Sequence, residues 1–429
     1  MKTIIQSVKG TRDFYPREMA IRNWLYQKSR EVSEAFGYQE FEGPILESIN
    51  LYAAKSGEEL VKEQSFVFHD RSNKLITLRP ELTPTLMRMV AQRQQQLHYP
   101  LRWWSFGPFW RYERPQKGRT REFFQWNIDL IGNATPEMDA EMVAVMASFY
   151  QSVGLNSQEV TISVNNRRLI DQQLDVMGIA PESRPQVIRL IDRKEKLSPE
   201  AWEKYAFDIN LSHQQVNQLN ALMENLDLWK ESHELVRFFE TIDALGVSDY
   251  VQYNPKVIRG LDYYTGTVYE GHSISTDIRR ALAGGGRYDN LLADVGGNPL
   301  PGTGFAMGDL VITLLLEELG HLPENLGQSP APVLVTVFNE ELLLSSYRLA
   351  AELRTSGLKI ATYPIPDKLG KQFRYAERIG ARIALVLGAT EQANHQVAIK
   401  DLRSREQIVV PQTQAFNKIS EILAGDSPS

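Results

Sequence analysis

The chain contains no cysteine, which excludes disulfides, thiolate catalysis and cysteine-ligated zinc. Its seven histidines, at 69, 98, 213, 233, 272, 321 and 395, lack the close spacing of metal ligands, so no protein-bound structural metal is expected. There is no apolar run long enough to span a bilayer, and the amino-terminal MKTIIQSVKGTRDFYP lacks the apolar core and cleavage-site pattern of a secretory signal. A soluble, cytoplasmic protein is expected. Net positive charge is missing too. The formal charge of −6 argues against bulk nucleic-acid binding, although a locally basic surface can still engage a specific RNA. What is present is 429 residues with 42% hydrophobic content and no internal repeat, enough for two or three globular domains.

Positive charge is concentrated in one place. From Arg102 to Arg121 the charged residues are Arg102, Arg111, Arg114, Lys117, Arg119 and Arg121 against Glu113 alone, a local balance of +5. The surrounding GPFWRYERPQKGRTREFFQWNIDLIG reads as two strands joined by a basic loop. A strand over residues 109–113 puts Arg111 and Glu113 on one face. The same period of two sets Gln125, Asn127 and Asp129 opposite Phe124, Trp126, Ile128 and Leu130. Such a segment is either a hairpin with a solvated outer face or a sheet face built to hold something polar. Guanidinium groups bind phosphate oxygens in a fork, so the cluster favours a phosphorylated ligand, a nucleic-acid end, or both.

Periodicity along the chain predicts helices over residues 17–36, 51–61 and 138–152, and strands over 65–69, 75–78 and 160–164. Residues 1–166 are read as the first part of a core and 167–240 as a charged, mostly helical insertion. Residues 241–325 complete the core, with VIRGLDYYTGTVYEG as a strand. After a Pro- and Gly-rich linker, residues 330–425 alternate strand and helix, which predicts a small α/β sheet with parallel strands. Residues 330–429 carry +2 against −8 for the rest.

Several motifs admit two readings. In RPELTPT, Glu81 and Thr83 are either near a helix N-cap or a carboxylate and hydroxyl for an ammonium group. A strand over RGLDYY sets Arg259, Leu261 and Tyr263 opposite Asp262 and Tyr264; paired tyrosines suit a core, but the arginine does not. Gly284 to Gly286 form a tight turn or let backbone approach a ligand. Gly302, Gly304 and Gly308 lack the dinucleotide-binding spacing, and close helix packing is expected there.

Together KGTRDFYP, FGYQEFEGPILE, RPELTPT, FWRYERPQKGRTREFFQ, RGLDYYTGTVYE and GGGRYD resemble the class II aminoacyl-tRNA synthetases, and within them the histidyl-tRNA synthetase family. The carboxy-terminal KLGKQFRYAERIGAR and LGATEQANHQVAIKDL resemble that family's anticodon-binding module, so the resemblance covers nearly the whole chain. It implies an α/β fold, more closely an α+β catalytic core whose antiparallel sheet is flanked by helices, with a helical insertion and a carboxy-terminal α/β anticodon-binding domain. It also implies a homodimer joined through the first motif, ending at Pro44, and as substrates L-histidine, ATP with Mg2+ and histidine tRNA. Carried over residue by residue, Glu81 and Thr83 hold the substrate ammonium, Gln125 and Asp129 face the substrate, and Tyr263, Tyr264 and Tyr288 line the imidazole pocket. Arg111 and Arg259 are the catalytic pair at the α-phosphate. Glu113 reads the adenine amino group, and Gln116, Arg119 and Arg121 reach the outer phosphates or the acceptor stem.

Two departures stand out. Asp129 occupies a position where the family commonly has a glutamate. The third motif usually ends in a glycine, one or two residues, then an arginine for the γ-phosphate, whereas GFAMGDLVITLLLEEL offers Asp309 and no arginine before Glu317, which makes Arg119 or Arg121 the expected substitute. That loss fits an alternative, a noncatalytic histidine-sensing paralogue similar to the regulatory subunit of ATP phosphoribosyltransferase. The basic loop, RGLDYY and the carboxy-terminal domain favour the enzyme. A synthetase for another amino acid would have to explain the tyrosine-rich motifs.

Overall fold

The computed structural model describes residues 4–53, 64–116, 118–259 and 263–425. They divide into two units, the second starting at Glu324 and including Pro16–Glu18. The first unit contains β1 (Gln39–Glu40), β2 (Leu46–Ser48), β3 (Val67–His69), β4 (Leu75–Leu78), β5 (Leu101–Trp110) and β6 (Glu122–Ile131). These are followed by β7 (Val160–Asn166), β8 (Val251–Tyr253), β9 (Thr267–Ser273), β10 (Ala283–Tyr288) and β11 (Gly302–Gly308). Eight of them form one sheet in the order β1-β5-β6-β11-β10-β9-β7-β8, antiparallel except at the β1–β5 and β7–β8 edges. β2, β4 and β3 make a small separate sheet.

The two faces of β6 carry the residues predicted for them, but both are covered from Trp126 onward, Asn127 and Asp129 being buried as well. Trp126, Ile128 and Leu130 are buried, and the Trp126 ring packs at 5.2 Å from Phe149 and 5.0 Å from Phe305. Helix α1 (Pro16–Ala35) meets this face through Ser33, whose hydroxyl accepts the Trp126 indole N–H at 3.1 Å. Helix α2 (Thr83–Arg93) follows β4. Helix α3 (Pro136–Ser152), apolar almost all round, lies against the central strands. Within this packing Arg287 of β10 pairs with Asp139 in the first turn of α3 at 2.9 Å, both side chains 3% exposed. Arg287 also donates from Nε to Asp139 Oδ2 and from Nη1 and Nη2 to the carbonyls of Asn133 and Thr135, so every nitrogen of the buried guanidinium is engaged.

Three sequence expectations fail here. The strand predicted over residues 109–113 stops at Trp110. Beyond it Gln116 and Arg119 exchange backbone hydrogen bonds around Gly118 (φ +75°), and Pro115 has no N–H to extend a ladder. RGLDYY is not a strand at its described residues: Arg259 has φ +49°, a left-handed turn that ends extended backbone, and β9 begins only at Thr267. Residues 260–262 of that motif lie outside the described residues, as do residues 54–61 of the predicted helix, of which Asn50–Ala53 is helical. Gly284 to Gly286 form the middle of β10 instead of a turn.

Residues 167–244 hold the helices Arg167–Val176, Arg184–Asp192, Pro199–Asp208, His213–Glu224 and His233–Ala244. No helix among the described residues is long and apolar enough to cross a membrane.

The second unit has β12 (Val333–Val335), β13 (Ile360–Thr362), β14 (Ile383–Val386), β15 (Gln396–Asp401) and β16 (Gln407–Pro411), in the order β13-β12-β14-β15-β16. β13, β12 and β14 are parallel as predicted, but β15 and β16 are antiparallel. The link from β14 to β15 carries only the helix Ala389–Ala393, too short for the crossover a parallel return needs. Val335, Leu353, Ile383, Leu385, Val397 and Ile419 are buried in its core.

Candidate active site

Cross-strand partners share a sheet face, and the register gives the polar face of β6 an unusual neighbour. Gln125, Asn127 and Asp129 stand opposite Gly308, Ala306 and Gly304 of β11, which in turn stand beside Gly284 and Gly286 of β10. Glycine costs a strand conformational entropy and packing, so a column of small residues mid-sheet marks space kept for something else. The space is a cavity of about 260 Å³ lined by Arg111, Glu113, Arg119, Gln125, Arg259, Arg280, Gly284 and Ala306, among others.

Arg259 fills part of it from above. A Cβ on Gly284 would lie 1.3 Å from Arg259 Nη1, so the guanidinium occupies the place of the missing side chain. Nη1 donates to Glu270 Oε1 at 3.2 Å, Glu270 Oε2 lies 3.1 Å from His272 Nε2, and Arg259 Nε is buried without a hydrogen-bond partner among the described residues. Burial pulls the Arg259 pKa down, but Tyr264 and Glu270 outweigh it and hold the group above its usual value. Arg111 donates to the Pro80 carbonyl at 2.9 Å and lies over the Phe123 ring. Burial lowers its pKa, while Glu81 opposes that and Arg259 adds to it; an arginine remains charged throughout.

The basic loop closes on itself. Arg119 is ion-paired with Glu113. Arg121 stacks at 4.2 Å on Tyr112 and donates to the carbonyls of Glu113 and Lys9; neither it nor exposed Gln116 lines the cavity.

A tyrosine cluster gathers most of the remaining predicted residues. Tyr263 donates to Glu81 Oε2 at 3.4 Å, and its ring lies 4.9 Å from Tyr264 and 6.3 Å from Tyr288. The Tyr288 hydroxyl donates to Asp129 Oδ1. Burial raises the Asp129 carboxyl to about 7, the Tyr288 hydrogen bond opposing it. Glu81 is buried, and Thr83 opens α2 two residues later with Leu82 at the N-cap and no side-chain cap bond. The capping reading of RPELTPT therefore fails.

The glycines expected to pack helices do something different. A Cβ on Gly304 would lie 2.4 Å from Asp129 Oδ1 and 2.5 Å from the Ile128 carbonyl, and one on Gly302 would lie 2.5 Å from the Tyr288 ring. Gly304→Ala is expected to lower the melting temperature, because overpacking against backbone typically costs about 1–3 kcal/mol. A thermal melt indistinguishable from the wild type would contradict this close approach.

Asp309 opens helix α4 (Asp309–Leu319), where it accepts from Arg12 at 2.7 Å and from the Phe124 N–H at 3.0 Å. Burial raises its pKa and Arg12 opposes that. Sequence reasoning did not single out Arg12, Glu270 or Arg280. The signals available were the Arg279-Arg280 pair just before the glycines, and the Glu270-x-His272 spacing, which puts both side chains on one face of β9.

Comparison with known proteins identifies the family. A histidyl-tRNA synthetase family model matches residues 10–309 and an anticodon binding domain model matches residues 332–422. Histidine–tRNA ligase of Leptospira biflexa is 32% identical, covering 99% of this chain and 99% of the relative. The chloroplastic/mitochondrial histidine–tRNA ligase of Arabidopsis thaliana is 35% identical, covering 95% and 85%. Among solved structures, histidyl-tRNA synthetase from Nostoc superposes with a TM-score of 0.83 at 24% identity, covering 98% of this chain and 100% of that one. A protein of Bacillus halodurans titled ATP phosphoribosyltransferase regulatory subunit/histidyl-tRNA synthetase gives 0.72 at 22%, covering 91% and 100%; at such identities these two likenesses speak to the fold. With a family pattern across the whole arginine- and tyrosine-lined site and relatives matched over their full length, the chain belongs to the histidyl-tRNA synthetase family.

Proposed function

We propose that this chain activates L-histidine with ATP and transfers the histidyl group to the 3′ end of histidine tRNA, using the cavity for the nucleotide and the tyrosine cluster for the amino acid. The observation that carries it is the continuity of the two: Arg111, which lines the cavity with Arg259, donates to the carbonyl of Pro80, the neighbour of Glu81, whose carboxylate accepts from Tyr263 of the cluster. A histidine seated with its ammonium at Glu81 and Thr83 and its imidazole toward Asp129, Tyr264 and Tyr288 brings its carboxylate to Arg111. Gln125 borders the same space.

The carboxylate oxygen attacks the α-phosphorus of ATP, and the bond from that phosphorus to the bridging oxygen breaks, pyrophosphate taking the electron pair. Negative charge grows on the α-phosphate oxygens. The unused Nε–H of Arg259 and the Arg111 guanidinium, both in a buried site, are available to stabilise it without reorganisation. Positioning and charge stabilisation carry such a step, with no covalent catalysis required. Magnesium enters with ATP as part of the substrate. Glu113 reads the adenine amino group once Arg119 turns toward phosphate or the tRNA acceptor end, to which Gln116 and Arg121 also contribute. In the second step the terminal ribose hydroxyl of tRNA attacks the mixed anhydride and releases AMP.

The same reading makes residues 1–166 and 241–325 the catalytic core, 167–240 an insertion and 330–425 the anticodon-binding domain, working in the cytoplasm as a homodimer. Exposed Ile45, Leu46, Val67, Phe68 and Leu75 on and beside the small sheet offer apolar surface for a second copy. The test is histidine-dependent exchange of pyrophosphate into ATP. Exchange that requires histidine supports the reading. Histidine binding without exchange supports the noncatalytic paralogue instead.

A further inference from the structure

Four guanidinium groups line the cavity, and their partners divide them. Arg119 faces the Glu113 carboxylate and Arg259 faces Glu270. Arg111 and Arg280 have only carbonyl partners among the hydrogen bonds described: Pro80 for Arg111, and Gly118 for Arg280 at 3.3 Å. The remaining carboxylate of the lining, Asp309, is held by Arg12. A guanidinium on a long, neutral contact gains most when an anion arrives, because charge-assisted hydrogen bonds are about twice as strong as neutral ones.

Arg280 is placed to use this. It comes from the segment that leads into β10 and reaches the basic loop between β5 and β6, where its Cδ lies 3.3 Å from the position of a Gly118 Cβ. Gly118 adopts φ +75°, a conformation that keeps this position free of a side chain and the approach open. Arg121, in contrast, spends its donors on the carbonyls of Glu113 and Lys9 and its face on Tyr112.

We infer that Arg280 binds the β- and γ-phosphates of ATP, supplying from the segment before β10 the cation that the first turn of α4, Asp309-Leu310-Val311, does not carry. This rests on the functional reading above and adds a residue to it. With Arg111 and Arg259 at the α-phosphate, Arg280 grips the leaving pyrophosphate and keeps the triphosphate extended for in-line displacement.

The test is pyrophosphate exchange by the full-length wild type, Arg280→Ala and Arg280→Lys, with inhibition by a sulfamoyl analogue of histidyl-adenylate, which has no β- or γ-phosphate. For Arg280→Ala the KM for ATP is expected to rise roughly 10- to 100-fold, as loss of one charge-assisted contact implies. Histidine KM and analogue inhibition stay at wild-type values, and Arg280→Lys recovers part of the loss. An unchanged ATP KM in an active Arg280→Ala overturns the assignment alone. Equal weakening of ATP and analogue also overturns it, marking a structural role. Wild type without histidine-dependent exchange removes the functional reading and this one with it.

Discussion

Replacing Arg259 by alanine is expected to lower kcat for histidine-dependent pyrophosphate exchange by roughly 100- to 1000-fold, the usual effect of deleting one preorganised donor at a developing charge. The group is buried, anchored through Nη1 to Glu270, and its Nε–H has no partner among the described residues. Donors held in this way are already oriented when charge develops on the α-phosphate. The loss should fall on kcat more than on the KM for histidine, because the Tyr263–Glu81 and Tyr288–Asp129 pairs do not involve Arg259. Gly284→Ala provides an independent check. Its Cβ would displace the guanidinium without removing it, so the same kcat defect is expected in a protein that keeps the arginine. Wild-type exchange in Arg259→Ala would falsify the role.

Asp129→Asn is expected to raise the KM for histidine roughly 10- to 100-fold, since a charge-assisted hydrogen bond to the imidazole becomes a neutral one. The pH dependence has a definite sign. Burial lifts the carboxyl from its usual 3.8 to about 7. Below about pH 4 folded and unfolded states are both protonated there and Asp129 costs nothing. As pH rises from 4 to 7 the unfolded chain loses the proton while the native site keeps it, so stability falls; above 7 the penalty is complete. At about 1.4 kcal/mol per tenfold change in proton affinity, it is on the order of 4 kcal/mol. The ligand-free Asp129→Asn protein should therefore melt higher than wild type at pH 8 and match it near pH 4. Histidine affinity in the wild type should improve as pH rises through about 7, and this dependence should be shallower in the variant. A destabilised variant at pH 8, or an unchanged histidine KM, would show that Asp129 is neither strained by burial nor facing the substrate.

Much of the site was legible as pattern. The period of two in β6 separates Gln125, Asn127 and Asp129 from Trp126, Ile128 and Leu130, because side-chain alternation is a local property of extended backbone. The positive charge of the basic loop follows from counting residues, and the interdomain break follows from composition. The failures share a cause. Arg111 and Glu113 left their predicted strand because the loop turns on Gly118 and closes through the Arg119 ion pair, and Arg259 left its own because it adopts a left-handed turn beneath which Gly284 lies. In the second unit, strand identities were local but the antiparallel return of β15 depended on the length of its connection.

The sequence by itself determined the composition-level exclusions, the alternating elements, the concentration of arginine and the family motifs, all of which depend on residues close together in the chain. Tertiary structure decided which distant residues meet: Asp309 with Arg12, Gly304 with Asp129, Arg280 with the loop at Gly118, and Arg259 with the gap left by Gly284. Those pairings depend on sheet order and register, which join strands far apart in sequence, so no local window contains them.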